Sequence, residues 1–412
     1  MIFSERDKKF FIRVYKNVAL YSDKIKETGG RLPDFETNWN QLPLMEREDY
    51  IAGSSNTIMP DKIPMMLSGK LMEVFTSGTS GTCMNVLWSV EDCRRALLSL
   101  WLYRKRGYGV SPGDKYCYFY SARTIGREEK VFKIAKNQLG FDRNNLTEER
   151  LLDIYKKMCD YQPVWLMLQP VIAVLLIHIK KKYNLPDLEN LKYIEMTGEM
   201  LDKGLRSEIE KVFRCKVANQ YGAYEVNSIA YDCRKGNLHC MDENVMVEIL
   251  DENGNSVEDG KEGDIYITSL QNRTMPFIRY KIGDRGYIST DKCECGRKGK
   301  ILCLTQTRTA EWIAAKSGDK INPYVLLRPI INVNKILDNP ILQFQIIQKD
   351  FNWFEYKIVA EEEMQQEICQ GILENICEKR LAGSRMEILF YDHILPDKDT
   401  GKLVWFKNEL ET

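Results

Sequence analysis

The chain has no charge of either sign to spare, since 59 lysines and arginines stand against 59 aspartates and glutamates. That balance gives no electrostatic reason to expect nucleic acid as a partner. Histidine is scarce, with three among 412 residues, and no Ser-His-Asp arrangement can be supported from them. His178 lies in an apolar stretch and His393 in a late segment, where structural roles are expected. Long apolar runs are missing as well: the best candidate, 164–179, is interrupted by Gln169, Pro170 and His178, whereas crossing a bilayer takes about 20 apolar residues. A buried helix is the better reading of that stretch, and no membrane insertion is expected. The first nine residues carry too many charges for the apolar part of a signal peptide. With no export signal, the twelve cysteines argue for a reducing cytoplasm rather than a disulfide framework.

What is present is an ordinary globular composition, 44% hydrophobic, at a length that predicts two or three domains. Helical periodicity is expected over 6–27, over 91–106 with Ser89 as its cap, and over 127–139, 148–161 and 202–213. Strand patterns fall at 116–120, 164–167, 191–196 and 216–220. Strands alternating with helices of this length imply a largely parallel sheet with ligand loops at the carboxyl ends of its strands. After about residue 230 the pattern changes to short strands and turns, which reads as a β-rich subdomain over 230–307.

Thr76-Ser77-Gly78-Thr79-Ser80-Gly81 follows the strand-like run Leu71 to Phe75. Glycine lets backbone N–H groups turn toward an anion, and Ser and Thr add donors without bulk, so the composition suits a loop around a polyphosphate. It is not a Walker loop, because Thr82, Cys83 and Met84 stand where Lys and Ser/Thr would be required. A hexapeptide of this kind on its own is more often a plain loop. Tyr221 and Glu225 are four apart, which would place both on one side if the turn after the preceding strand is helical. The plain alternative is a buried Tyr and a capping Glu. Asp284 after Gly283 could be only a turn residue, and Glu199 only a negative charge at a helix start. Cys233 and His239, with the Cys-x-Cys pair Cys293 and Cys295, could supply three thiolates and one imidazole to a structural Zn²⁺. Free thiols are the alternative, and the spacing leaves both open.

Thr76 to Gly81, Thr197-Gly198-Glu199, Tyr221-Gly222-Ala223-Tyr224-Glu225, Met275 to Asp284, Arg308 and Leu395 to Lys402 stand in the order of the adenylate-forming enzymes. The chain resembles their phenylacetate-CoA ligase subgroup, to which Arg13 to Tyr21, the Pro276-Phe277-Ile278-Arg279-Tyr280 form and Cys293-Glu294-Cys295-Gly296-Arg297 are also similar. The resemblance covers essentially the whole chain. It implies an α/β fold with a large domain over 1–307, mixed or parallel sheets flanked by helices, and a small mobile α+β domain over 308–412.

The resemblance also implies an activity: a carboxylic acid reacts with ATP and Mg²⁺ to give an acyl or aryl adenylate, and CoA then takes the acyl group. Transfer to a carrier-protein phosphopantetheine or to an amine is the near alternative, and a nucleotide-binding protein without turnover is the rival. A homodimer is left open. Thr76, Ser77, Gly78, Thr79, Ser80 and Gly81 would hold the triphosphate, Gly198 and Glu199 would border the adenine, and Tyr221 with Gly222 would pack on it. Glu225 would hold Mg²⁺, Asp284 and Arg308 the ribose, and Lys402 would enter only for adenylation. Tyr120, Trp165 and Gln169 would line the acid pocket. Two departures stand out: the lysine usual shortly after the last loop glycine is missing, and Arg308-Thr309-Ala310-Glu311 stands where the family commonly reads Arg-x-Asp-Asp, placing Ala310 at the hinge.

Overall fold

A computed structural model describes residues 3–27, 29–35, 37–51, 54–76, 84–120, 132–143, 146–201, 203–306, 313–318, 320–321, 323–337, 340–360, 363–380, 383–395 and 404–410. The chain forms two compact units, each assembled from two separate segments: Met1–Gly107 with Asn219–Arg308, and Tyr108–Ala218 with Thr309–Thr412.

The first unit opens with two helices, Glu5–Asn17 and Ala19–Glu27, where one continuous helix over 6–27 is expected from the pattern. Val18 is extended between them, at φ −87° and ψ 119°, and Asn17 turns its side-chain amide onto the Arg13 carbonyl at 2.9 Å. A side chain competing for a helix carbonyl favours an ending there. The break lets Phe11, Val14 and Tyr15 on one piece and Tyr21 on the other all enter one core with Met45, Val226, Phe277 and Ile278. Ser89 caps the helix Val90–Tyr108 as expected, with the Asp92 N–H donating to its Oγ at 3.1 Å.

An antiparallel sheet follows in the order Val245–Leu250, Gly263–Ser269, Tyr280–Ile288 and Leu302–Gln306, the β-rich part. Arg279, at its entry, is 1% exposed and sits at φ 50°. Its guanidinium donates to the Asn40 and Leu42 carbonyls at 2.8 and 2.7 Å and lies 3.3 Å from the Glu248 carboxylate. The Glu248 carboxylate meets its charge and those two carbonyls take the Nη1 donors, which offsets the cost of burying a guanidinium.

In the second unit the strands run Tyr193–Thr197, Trp165–Leu168, Tyr116–Tyr120 and Gln138–Asp142 in parallel, with Phe132–Ala135 antiparallel at the edge. Helices Glu148–Tyr161, Pro170–Lys182 and Lys203–Phe213 accompany them. Nearly the whole of Pro170–Ile179 is buried, so the apolar stretch is a core helix preceded by a strand. Among the described residues, no helix is long and apolar enough to cross a membrane.

The helix expected over 127–139 is corrected from residue 132 onward, because a hairpin stands there; 127–131 lie outside the described residues. Lys136 takes a left-handed φ of 54°, and Asn137 ties the turn down by donating to the Asp114 carbonyl at 2.6 Å. Gly140 runs beneath the Tyr118 ring, where a Cβ would come within 2.6 Å. Later in the chain, Arg385–Phe390, Trp353–Ala360, Ile341–Asp350 and Phe406–Asn408 form a mixed sheet, with helices Tyr324–Ile336 and Glu363–Arg380 packed through Leu326, Ile330, Cys369 and Leu373. The whole is an α/β fold with a small α+β part near the carboxyl end.

Candidate functional site

Thr76 is the described end of the Ser/Thr/Gly loop. It stands where the antiparallel strands Met72–Phe75 and Asn85–Trp88 converge. Its N–H donates to the Met84 carbonyl at 2.9 Å, and its Oγ1 accepts from the Met84 N–H at 3.2 Å and from the Arg47 guanidinium at 2.8 Å. Arg47 carries no sequence signal for this role. Ser77, Gly78, Thr79, Ser80, Gly81, Arg308, Ala310 and Lys402 lie outside the described residues.

Tyr221 and Glu225 do not share a helical turn, which corrects the local expectation. Strand Lys216–Ala223 turns into strand Asn227–Asp232 as an antiparallel hairpin, held by the Val226 N–H on the Ala223 carbonyl and by the Trp88 indole N–H on the Tyr224 carbonyl, at 3.2 and 2.9 Å. Gly222 is dictated by space, since a Cβ there would lie 2.2 Å from the Asn227 carbonyl oxygen.

The hairpin nevertheless brings both side chains onto one strand, Tyr280–Ile288. The Tyr221 phenol donates to Asp284 Oδ2 at 2.5 Å, and the Tyr280 phenol donates to Glu225 Oε1 at 3.2 Å. Glu225 is 1% exposed and Asp284 7%. Asp284 therefore sits within a strand rather than a free turn, directly after Gly283 at φ +88°, where the strand register shifts. Tyr280 belongs to the sequence motif, but nothing in its spacing announced the contact with Glu225.

In the second unit, parallel registers bring the carboxyl ends of three strands to one edge, at Tyr120, Gln169 and Gly198. Gly198 has φ +83°, and Gln169 Cγ lies 3.8 Å from where its Cβ would stand. Among the described residues, Gln169 Oε1 is buried without a hydrogen-bond partner. Glu199 accepts from the Val171 N–H at 3.2 Å, so its carboxylate does cap a helix, Pro170–Lys182, complementing the positive end of that helix. Tyr120 is half-buried, with the Lys133 ammonium 4.2 Å over its ring. Trp165 is corrected as a pocket residue: at 1% exposure it is stacked between Tyr116 and Tyr193, 4.3 and 5.7 Å away, leaving its ring no free face.

Cys233, His239, Cys293 and Cys295 converge until their ligand atoms all lie within 4.8 Å of one another. The Cys233 and Cys293 sulfurs are 3.6 Å apart, and Cys295 Sγ is 3.4 Å from His239 Nε2. The Asn237 amide donates to Cys293 Sγ at 3.1 Å and the Arg297 N–H to Cys295 Sγ at 3.4 Å. Burial pushes the Cys233 thiol up to about 11. Burial also acts upward on Cys293, but donation from Asn237 and from groups of the cluster outweighs it and holds that thiol down at about 6. Cys240 and Cys303 are not in the group.

Two families match this chain: AMP-binding enzyme over residues 70–273 and the CapK C-terminal domain over 313–409. Phenylacetate-coenzyme A ligase of Thermus thermophilus is 23% identical over 397 residues, 90% of this chain and 83% of that protein. The chain is thus similar to the adenylate-forming enzymes, and over most of its length to a phenylacetate-CoA ligase. Protein CapK of Staphylococcus aureus is 28% identical to this chain over 293 residues; the match takes in 68% of the chain and 61% of that relative's length. Among solved structures, 2-hydroxyisobutyryl-CoA ligase in its postadenylation state superposes with a TM-score of 0.73 at 17% identity, covering 98% of this chain and 90% of the other. That likeness extends the shared fold over nearly the full length.

Proposed function

We propose that the enzyme activates a carboxylic acid with ATP and passes the acyl group to CoA. The observation that carries this reading is the hairpin of Tyr221 and Glu225, locked by two hydrogen bonds onto the strand that bears Tyr280 and Asp284, in a chain whose family binds AMP. In the first half-reaction a carboxylate oxygen attacks the α-phosphorus of ATP, the bond to the β-phosphate breaks, and pyrophosphate leaves. In the second, the thiol sulfur bonds to the acyl carbon, AMP leaves, and the thiol gives up its proton.

Tyr221 would lie against the adenine, with Gly222 keeping the hairpin narrow there. Asp284, already oriented by the Tyr221 phenol, would accept from ribose hydroxyls. Thr76, fixed by Arg47, would anchor the loop Ser77 to Gly81, whose donors would favour the charge that grows on departing pyrophosphate. Glu225 fits a divalent cation: it is a hard oxygen ligand, one oxygen is oriented by Tyr280, and an ionised carboxylate has further lone pairs to offer. Bound Mg²⁺ would neutralise phosphate oxygens. Lys402 would bring a positive charge between two anions that repel as they approach. Gln169, with its unpartnered oxygen beside Gly198, and Tyr120 are the proposed acid contacts, with Glu199 near the adenine.

Pyrophosphate release is measured with ATP and Mg²⁺ across aryl, fatty and hydroxy acids, each with and without CoA. The expected result is release that depends on one class of acid and is stimulated by CoA. Release without CoA stimulation would move the acceptor to a carrier-protein phosphopantetheine or an amine, and silence with ATP still bound would refute turnover. Lys402→Ala should abolish adenylation and spare ATP binding.

A further inference from the structure

We propose that Cys233, His239, Cys293 and Cys295 hold a tetrahedral zinc ion that clamps the far end of the Tyr221–Glu225 hairpin to the strand bearing Tyr280 and Asp284. The metal part stands on geometry alone; the positioning part rests on the reading of Tyr221, Glu225 and Asp284 given above.

With Zn–S near 2.3 Å and Zn–N near 2.0 Å, the edges of a tetrahedral site are about 3.7 Å between sulfurs and about 3.5 Å between sulfur and nitrogen. The observed Cys233–Cys293 and Cys295–His239 separations are 3.6 and 3.4 Å. A disulfide would bring two sulfurs to about 2.05 Å, so the arrangement is a set of ligands around a common centre rather than a cross-link. Donation from Asn237 and from the Arg297 backbone to two of the sulfurs is the outer support that metal-bound thiolates take. The donor set of three sulfurs and one imidazole nitrogen is that of closed structural zinc sites, with no position left for water.

The cluster joins two pieces of chain. Cys233 directly follows strand Asn227–Asp232, and His239 is the middle residue of its partner strand Leu238–Cys240. Cys293 and Cys295 lie between Tyr280–Ile288 and Leu302–Gln306. At its start, Asn227–Asp232 emerges from the turn that carries Glu225, while Tyr280–Ile288 carries Tyr280 and Asp284. The hairpin of Lys216–Ala223 and Asn227–Asp232 is therefore tied to Tyr280–Ile288 by the Tyr221–Asp284 and Glu225–Tyr280 hydrogen bonds and, beyond the far ends of Asn227–Asp232 and Tyr280–Ile288, by the ion, which limits how far the hydrogen-bonded groups can separate.

The test measures zinc by mass spectrometry in the full-length protein purified without added metal or chelator. Thermal unfolding and ATP affinity are compared before and after stripping with a chelator, and after return of Zn²⁺ or Co²⁺. About one zinc per chain is expected, with a fall in Tm and weaker ATP binding on stripping, both restored by Zn²⁺. Co²⁺ should give the intense visible bands of a tetrahedral thiolate site. The stripping comparison needs no mutant to fold; Cys295→Ser, where soluble, should lose the metal. Protein with no metal, no cobalt bands and no change in Tm on adding Zn²⁺ overturns the site. Bound zinc whose removal leaves ATP affinity unchanged overturns the positioning part. Asp284→Ala protein that keeps zinc and still binds ATP normally would instead sink the nucleotide reading.

Discussion

Replacing Gly222 by alanine asks the hairpin to hold a methyl group where the Asn227 carbonyl oxygen already is. The Cβ would lie 2.2 Å from that oxygen and 2.9 Å from Gln220 Nε2, and the first neighbour is backbone, which cannot swing aside. Relief requires the two strands to part by about 1 Å, which strains the pairings Gly222↔Ser228 and Tyr221↔Ala230. Two backbone hydrogen bonds at about 1 kcal/mol each, with overpacking of about 1–3 kcal/mol, give an expected loss of about 3–5 kcal/mol. For a body of about 150–250 residues that is a fall in Tm of roughly 6–20 °C. The displacement starts beside Tyr221, so ATP affinity should fall together with Tm. Gly113→Ala is the control, because nothing lies within 4 Å of a Cβ at that site and a free surface change costs within about 0.5 kcal/mol. Differential scanning fluorimetry with ATP titration reads both quantities. A Gly222→Ala protein melting within about 2 °C of the parent, with unaltered ATP affinity, would refute the close-approach argument.

Tyr221→Phe removes the donor 2.5 Å from Asp284; at about 1.5–3 kcal/mol for a charged partner, KM for ATP should rise roughly 10- to 150-fold with circular dichroism unchanged, and an unaltered KM sinks the contact. Ser89→Ala removes the acceptor for the Asp92 N–H and should cost about 1 kcal/mol in urea unfolding; a midpoint unchanged within error speaks against the cap. His178 is held below its ordinary value of 6.5 by burial, with the nearby His393 charge adding to it. The unfolded chain therefore binds the proton more readily, and stability should drop as pH falls below about 6.5, levelling off below the folded value. The difference in Tm between pH 7.5 and 5.5 should narrow in His178→Gln, and an identical difference in both proteins counts against this.

Where local signals agree, the sequence is read almost to the residue. Helix Glu148–Tyr161 matches its expected span because Thr147 caps it, two glutamates open it, and its apolar residues recur at helical spacing. The 127–139 region misleads for a physical reason: Lys136 adopts a backbone conformation that lysine rarely takes, so no turn residue announces the hairpin. The strand spacing of Leu139 and Phe141 is fixed instead by pairing with Tyr116–Tyr120. The same holds at the candidate site. Tyr221, Glu225 and Asp284 can be found by motif, but the Tyr221–Asp284 and Glu225–Tyr280 contacts join segments far apart in the chain, which no local pattern encodes. Trp165 reads as a pocket aromatic because its type suits one, and only the flanking strands reveal the rings that cover it.

Each compact unit is stitched from two stretches of chain, and the second stretch of the first unit ends only at Arg308. On the ribosome, the amino-terminal helices must therefore wait, with Phe11 and Tyr21 still lacking Phe277 and Ile278, while the intervening 111 residues of 108–218 are made. Such delayed, long-range closure is slow and leaves apolar surface open meanwhile. Simple truncation at either boundary leaves a partial core, so dissecting this protein into working pieces calls for circular permutation or for co-expression of complementary fragments rather than a single cut.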